Sequence, residues 1–196
     1  SGTDIYNTSY GYDDRGNFTT LNRDGKIVNG GCFSDATIDD LAYTYNTNSN
    51  QLKSVTDSGN SSYGFKENSG ASTTYTYDDN GNMISDVEKG ITSITYNHLD
   101  LPTVITNGTE TITYNYDGNG TLLSKELDDG SSTETTDYIS GIEYIDNSKE
   151  AIYHSEGRVK YISGDPQFQY YIRDHLGNNR ILYADADSNG IVSTPS

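Results

Sequence analysis

Hydrophobic and polar positions along the chain follow a repeated strand-and-turn pattern centred on tyrosine. In five segments a ring or aliphatic side chain stands two positions before a tyrosine, and these tyrosines are Tyr12, Tyr45, Tyr77, Tyr96 and Tyr116. A spacing of two places both side chains on one face of a β-strand. Asp or Asn follows each of these tyrosines. In three copies Gly stands four positions after the tyrosine and an apolar residue six positions after it. Each unit is therefore predicted to form one β-hairpin.

The spacing between copies predicts two insertions in the array. Residues 26–39 and 58–72 are rich in Gly, Ser, Asn and Asp and lengthen the first two intervals. We interpret both as loops that project from one edge of the sheet. Within the first insertion, residues 34–41 could form one helical turn capped by Ser34.

A stack of such hairpins predicts an all-β fold made of repeated antiparallel hairpins in a curved, spiralling sheet. One hairpin is marginally stable, so stability must come from its stacked neighbours. Asn107-Gly108 and Asp129-Gly130 are further hairpin turn signals. The repeat becomes irregular near residue 137, which suggests a division into residues 1–137 and 138–196.

Composition narrows the classes of partner. Twelve basic and 29 acidic residues give a formal net charge of −17. Protein surfaces that bind DNA or RNA are basic, so nucleic acids are not expected as partners, and insertion into a membrane is not predicted. Eighteen Tyr favour an ordered sheet with a thin core over disorder. Cys32 is the single cysteine, so no intrachain disulfide is expected.

One segment departs from the repeat in an informative way. Residues 171–178 overlay residues 10–17, and Arg173 stands where Tyr12 stands in the first copy. A charge in a position that otherwise packs a ring is costly unless it finds a partner. Departures from a local rule tend to mark special sites.

These residues resemble the YD-repeat, or RHS-repeat, family of polymorphic toxins and large bacterial surface proteins. The five tyrosine units carry the resemblance, with Gly64-Phe65-Lys66 and residues 91–102. Residues 138–192 are similar to the RHS-associated core, through Glu156-Gly157-Arg158 and residues 170–178. The resemblance implies a spiral of hairpins that forms a hollow shell around a variable C-terminal effector. It also implies an extracellular or cell-surface location.

The same resemblance implies an aspartyl autoprotease in the core, which releases the effector. Arg173 and Asp174 match the family's Arg-Asp pair, and Asp187 matches its second acid, with Asp185 as the competing choice. Two carboxylates that share a proton can activate water. The family's cleavage motif is not found in this sequence, because Asp165-Pro166-Gln167-Phe168 does not match it. We therefore expect this chain to be no enzyme by itself.

Metal and cofactor sites are not predicted. Residues 185–191 fit the first half of a calcium loop, but Ser196 occupies the position where a bidentate Glu is expected. A turn is the better interpretation. His98, His154 and His175 are scattered and lack the spacing of a zinc site.

Three functions stay open at this point. The leading prediction is a structural scaffold whose partners are the remainder of a longer parent chain and its C-terminal effector. The alternative is a carbohydrate-binding surface on which exposed tyrosines stack against sugar rings, and the third is the release protease. Open sheet edges would also allow edge-to-edge self-association.

Overall fold

The computed structural model describes residues 6–66 and 74–184, and the described residues form strands and turns without a helix. Sixteen strands run in chain order: β1 Thr8–Tyr12, β2 Phe18–Asn29, β3 Cys32–Tyr45, β4 Leu52–Asp57, β5 Tyr75–Tyr77, β6 Met83–Asp86, β7 Ile91–Tyr96, β8 Pro102–Asn107, β9 Glu110–Tyr116, β10 Leu122–Asp128, β11 Thr133–Ile139, β12 Ile142–Ile145, β13 Ser148–His154, β14 Gly157–Ile162, β15 Asp165–Arg173 and β16 Asn179–Ala184. The predicted all-β class is confirmed.

Sheet order follows chain order, as expected for consecutive hairpins. Strands β1 to β4 form one sheet in the order β1-β2-β3-β4, and β5 to β16 form a second in sequence order. The pairings between neighbouring strands are antiparallel. The strand before each turn ends in the second tyrosine of a repeat, and the next strand begins at the apolar return position. The prediction of one hairpin per repeat is confirmed.

The prediction that the first insertion forms a loop is wrong. Residues 26–39 were expected to be a loop, but they lie almost wholly in β2 and β3. Gly30 and Gly31 form the two-residue turn between these strands, with φ of 59° and 81°. Gly-Gly suits the primed turns that match strand twist, so the glycine-rich composition marked a long hairpin. Residues 58–66 of the second insertion, predicted as a loop over residues 58–72, contain turns and no strand, and its residues 67–72 lie outside the described residues.

The helical turn expected over residues 34–41 is also wrong. These residues lie in the middle of β3, where Ser34 pairs with Ile27 and Leu41 pairs with Leu21. A capping serine signals a helix only when the residues after it are free to coil. Here each position except Ile38, which falls at a shift of register, is opposite a residue of β2, and the sheet pairing overrides the local signal.

The chain divides into two compact units, which we describe separately. The first comprises residues 1–100 and 105–108, and the second comprises residues 101–104 and 109–196. The first holds a small core of Leu41, Val55 and Tyr75, lined by partly buried side chains that include Phe65 and Met83. Ala151 is the buried hydrophobic residue of the second unit's described part. The sequence-based boundary at residue 137 concerns repeat regularity and stays a prediction.

Candidate functional site

In three of the five repeats, one aspartate holds the turn after the second tyrosine. The backbone N–H of Asp13 donates to the carbonyl of Asn17, and the N–H of Gly16 donates to the carbonyl of Asp13. The Asp13 carboxylate also accepts the N–H groups of Arg15 and Asn17, at 2.9 and 2.8 Å. Asp78 and Asp117 repeat this arrangement, each with a glycine of φ near 90° or 85° three residues later. The side chain at the Asp/Asn position therefore stabilises the turn by accepting its backbone N–H groups.

These hydrogen bonds favour the charged form of each aspartate. The pKa of Asp13 lies below its ordinary value, chiefly through the side-chain hydrogen bond from Asn17. Hydrogen bonding from the Thr121 backbone lowers the pKa of Asp117. For Asp78 burial acts to raise the pKa, but the hydrogen bonds from Asn82 and Asn80 together outweigh burial and lower it. The stabilisation that these carboxylates give the turns thus depends on their ionisation.

The second tyrosine of four repeats makes a bond that sequence reasoning missed. Its hydroxyl donates to the backbone carbonyl of the first residue in the return strand of the preceding hairpin. We call these four side chains the tyrosine clamps: Tyr45 to Phe18 at 2.8 Å, Tyr77 to Leu52 at 3.0 Å, Tyr96 to Met83 at 2.6 Å and Tyr116 to Pro102 at 3.1 Å. The identical acceptor position in four copies shows that the clamp is a property of the repeat.

The clamps combine an apolar contact with a polar one. All four rings are half-buried, and burial raises the pKa of each phenol above its ordinary value. A buried tyrosine hydroxyl needs a partner, and a strand-end carbonyl supplies it. One feature of the sequence could have indicated the clamp. The second ring position of the repeat is Tyr in all five copies, whereas the first is Tyr or Ile.

Asp174, proposed by resemblance as a catalytic acid, lies in the same kind of turn. Its N–H donates to the carbonyl of Asn178, and the N–H of Gly177 donates to its carbonyl, as in the first repeat. Its carboxylate accepts the N–H groups of Leu176 and Asn178, at 2.9 and 3.0 Å. Arg180 adds an ion pair at 2.9 Å that the sequence analysis did not anticipate. The side-chain hydrogen bond from Asn178 is the main reason that the pKa of Asp174 is lowered.

Arg173 takes over the donor role of a clamp. Its Nη1 donates to the carbonyl of Ser155 at 3.0 Å, in the turn before β14, and its Nε donates to Asn179 at 2.9 Å. The guanidinium also lies 5.6 Å from the centre of the Tyr171 ring. Arg173 is exposed, so water covers the charge that would be costly in a buried ring position. Its contacts explain how the repeat tolerates an arginine here.

Asp185 and Asp187, the two choices for a second acid, lie outside the described residues, as does the segment weighed as a calcium loop. The structure therefore brings Arg173, Asp174 and Arg180 together and leaves the predicted acid pair a prediction. Across residues 6–66 and 74–184 no group of three or more His, Cys, Asp or Glu side chains is placed to hold a metal ion. In the same ranges no helix is long and apolar enough to cross a membrane.

An aromatic cluster lies on the first hairpin. Tyr10, Tyr12 and Phe18 are 52%, 58% and 37% exposed. The centres of the Tyr12 and Phe18 rings lie 4.8 Å apart, and Phe18 continues to Tyr43 at 5.9 Å. Tyr12 occupies the clamp position, but the described part of the chain shows no carbonyl acceptor for its hydroxyl.

Comparison with known proteins gives weak structural neighbours. No family model matches the chain, and no curated protein matches it. The chain is similar to part of a Tc holotoxin pore of Photorhabdus luminescens that carries a TccC3 mutation, with 15% identity and a TM-score of 0.46. A complex of TcdB2, TccC3 and Cdc42 gives 15% identity and a TM-score of 0.40. Each alignment covers 92% of this chain and 12% or 13% of the neighbour's chain.

Proposed function

We propose that this chain is a non-catalytic wall segment of a large secreted or cell-surface YD/RHS-repeat protein, which encloses or presents a C-terminal effector. One observation carries the proposal: in four successive repeats the second tyrosine donates a hydrogen bond to a backbone carbonyl of the preceding hairpin. The turn aspartates are likewise occupied by their own backbone. Side chains used in this way hold neighbours in register.

The test uses the complete parent protein and limited proteolysis. We expect the segment after the repeats to resist protease in the intact parent. Replacing the clamps Tyr45, Tyr77, Tyr96 and Tyr116 by Phe should make that segment cleavable, because the wall loosens between hairpins. A matched control replaces the first rings Tyr43 and Tyr114 by Phe. Equal cleavage of the segment in the intact parent and in the clamp variant would contradict the proposal.

The proposal assigns no enzymatic role to this chain, and Asp174 permits a direct test of the protease alternative. Asn97 occupies the same turn position and accepts the N–H of Leu99 through Oδ1, at 2.9 Å. Asp174→Asn should therefore keep the turn and remove the acid. If a parent protein with its natural downstream sequence releases the effector equally well in both forms, Asp174 has no catalytic part. Loss of release with an unchanged melting temperature would establish the protease function.

Carbohydrate binding is the second candidate, favoured by the exposed rings of Tyr10, Tyr12 and Phe18. Aromatic faces of this kind can stack on sugar rings. Binding to a glycan array that disappears in Tyr10→Ala and Tyr12→Ala, with the fold intact, would support it. Binding that survives both changes would place any sugar elsewhere.

A further inference from the structure

A line of apolar side chains crosses five neighbouring strands of the second unit. The register pairs Ile139 with Ile142, Ile142 with Ile152, Ile152 with Val159 and Val159 with Phe168. Cross-strand partners lie on the same side of a sheet, so these five side chains form one continuous line, which we call the apolar row. Ile139 and Phe168 are 57% and 53% exposed, and the three side chains between them are half-buried.

The face that carries the apolar row is polar in the neighbouring regular repeat. Asp137 lies two positions before Ile139 on the same strand and therefore shares its face. It pairs with Ser124, which pairs in turn with Asn115. Asn115 Nδ2 donates to the Ser124 hydroxyl at 2.9 Å, as expected for side chains on one face. The apolar row thus has a polar border, and it begins where the tyrosine repeat becomes irregular.

The opposite face of the same strands uses its polar groups internally. The Tyr153 hydroxyl donates to the Glu143 carboxylate at 2.5 Å. Arg158 Nε donates to Gln169 Oε1 at 2.7 Å, and Gln169 is buried. This part of the sheet therefore exposes apolar side chains on one face and pairs polar ones on the other. A contiguous exposed apolar face with a polar border is typical of an interaction surface.

The apolar row can be contacted only through side chains. Strands β11 to β15 each pair with a neighbour on both sides, so their backbone N–H and C=O groups are engaged in the sheet. Strand addition needs an open edge, which none of these five strands has. Further hairpins at either end of the sheet would lengthen it and leave this face uncovered. An occupant must therefore stack its own side chains on the row.

Size and charge favour a tethered occupant over a separate one. Five strands at a spacing of about 4.8 Å span about 19 Å, so the row and its flanking side chains cover roughly 300 Å². A stable complex of separate proteins buries about 800 Å² on each partner. The net charge of −17 further opposes a second copy of this chain. A segment of the same polypeptide needs less area, because tethering raises its effective concentration.

We propose that the apolar row is the contact surface for an apolar segment of the C-terminal effector in the same parent chain. The inference rests on the proposed scaffold function, since it names the part of the wall that the effector touches. Asp137 and the exposed Glu126 lie on the same face at the polar border. The occupant therefore carries aliphatic or aromatic side chains with Lys or Arg beside them.

Photo-crosslinking in the complete parent protein tests the contact. The photoreactive amino acid p-benzoylphenylalanine replaces Phe168, and mass spectrometry after illumination identifies the peptide that it joins. We expect peptides of the effector. Tyr153 is the matched control, because it is an aromatic residue on the opposite face with 45% exposure. The same replacement there should join no effector peptide.

Three results of this experiment would overturn the proposal. The first is crosslinking from position 168 only to the wall or to a second copy of the parent. The second is the absence of any crosslinked peptide from that position. The third is an equal yield of effector peptides from positions 168 and 153, which would show that the contact is not specific to the apolar row.

A substitution measures how strongly the row holds the segment. Phe168→Ser in the parent should raise the hydrogen-exchange rate of the crosslinked effector peptide by about tenfold, because the segment loses a ring contact. Ile162→Ser is the matched control, since Ile162 is 48% exposed on the opposite face, and it should leave that rate unchanged. Circular dichroism confirms that both variants keep their strands. Equal exchange rates in the two variants would contradict the proposal.

Failure of this inference is distinguishable from failure of the scaffold proposal. An effector that resists protease in the intact parent but never joins position 168 rejects the contact at the apolar row and leaves the scaffold standing. Cleavage of the effector in the intact parent rejects the scaffold itself.

Discussion

Two tyrosines on one strand can have different roles when only one hydroxyl meets a carbonyl. In β9, Tyr114 and Tyr116 share a face and their ring centres lie 6.4 Å apart. Tyr116 donates to the carbonyl of Pro102, whereas the described residues show no such acceptor for Tyr114. The two rings therefore contribute similar packing, and the hydroxyl of Tyr116 adds a hydrogen bond to the preceding hairpin.

Replacing Tyr116 by Phe should lower the free energy of unfolding by about 1 kcal/mol, because the Pro102 carbonyl loses its donor. Tyr114→Phe is the matched control and should change stability by less than half of that amount. Urea denaturation followed by circular dichroism measures both. Equal effects of the two changes would show that the clamp bond adds nothing to ring packing.

Because of the turn aspartates, we expect the stability of the fold to fall at low pH. Their folded pKa values lie below the ordinary value of 3.8, so they stabilise the fold at higher pH. This stability is lost as pH falls from about the unfolded pKa through the lower folded pKa. Asp78→Asn should flatten the acid limb of the melting temperature, because Asn keeps the turn acceptor and does not titrate. An unchanged acid limb would contradict this assignment.

At the scale of the element, the hairpin is shaped by its turn as much as by its strands. Strands β2 and β3 are the longest pair, and a two-glycine turn joins them. Gly31 has φ of 81° and no heavy atom within 4 Å of a Cβ built on it. The requirement for glycine there is therefore one of backbone conformation and not of space.

Gly31→Ala should cost about 1 kcal/mol of stability, since L-residues rarely adopt a positive φ. Gly118→Ala is the matched control, because its Cβ also meets open space and its φ lies outside the left-handed region. The control should be neutral or slightly stabilising. Thermal unfolding of both variants gives the comparison, and a neutral Gly31→Ala would contradict the strain argument.

At the scale of the whole molecule, the apolar core is thin and hydrogen bonds between hairpins take a larger part. Among the described residues the buried hydrophobic side chains are Ile38, Leu41, Val55, Tyr75 and Ala151. Many large apolar side chains stay exposed, including Phe33, Phe168 and Leu176. Stability of such a fold depends on repeated contacts between neighbours more than on one centre.

The hydrogen bonds of the tyrosine clamps should make the fold unstable at high pH. The four clamp phenols have folded pKa values above 10.0, so their contribution to stability is present below pH 10. It is lost as pH rises through the folded pKa values. We expect cooperative unfolding together with phenolate absorbance above pH 10, and we expect the four-fold clamp-to-Phe variant to show a shallower pH dependence. Ionisation of the phenols without loss of strands would contradict this view.

Much of the fold could be predicted from local pattern. The alternation around Tyr12, Tyr45, Tyr77, Tyr96 and Tyr116 located the hairpins, because a spacing of two has one structural meaning in a strand. Residues 26–39 misled that analysis, since glycine-rich composition is shared by loops and by the turns of long hairpins. The capping signal at Ser34 failed because pairing with β2 involves residues distant in sequence.

The amino-acid sequence alone determined the repeat, the turns and the all-β class, because these depend on side chains a few positions apart. Only the tertiary structure decided which carbonyl each tyrosine hydroxyl meets, since the acceptors lie 13 to 27 residues away along the chain. It also decided that Arg173 donates to Ser155 and that Asp174 is engaged by its own turn. Long-range partners depend on how strands stack, and a linear pattern does not contain that information.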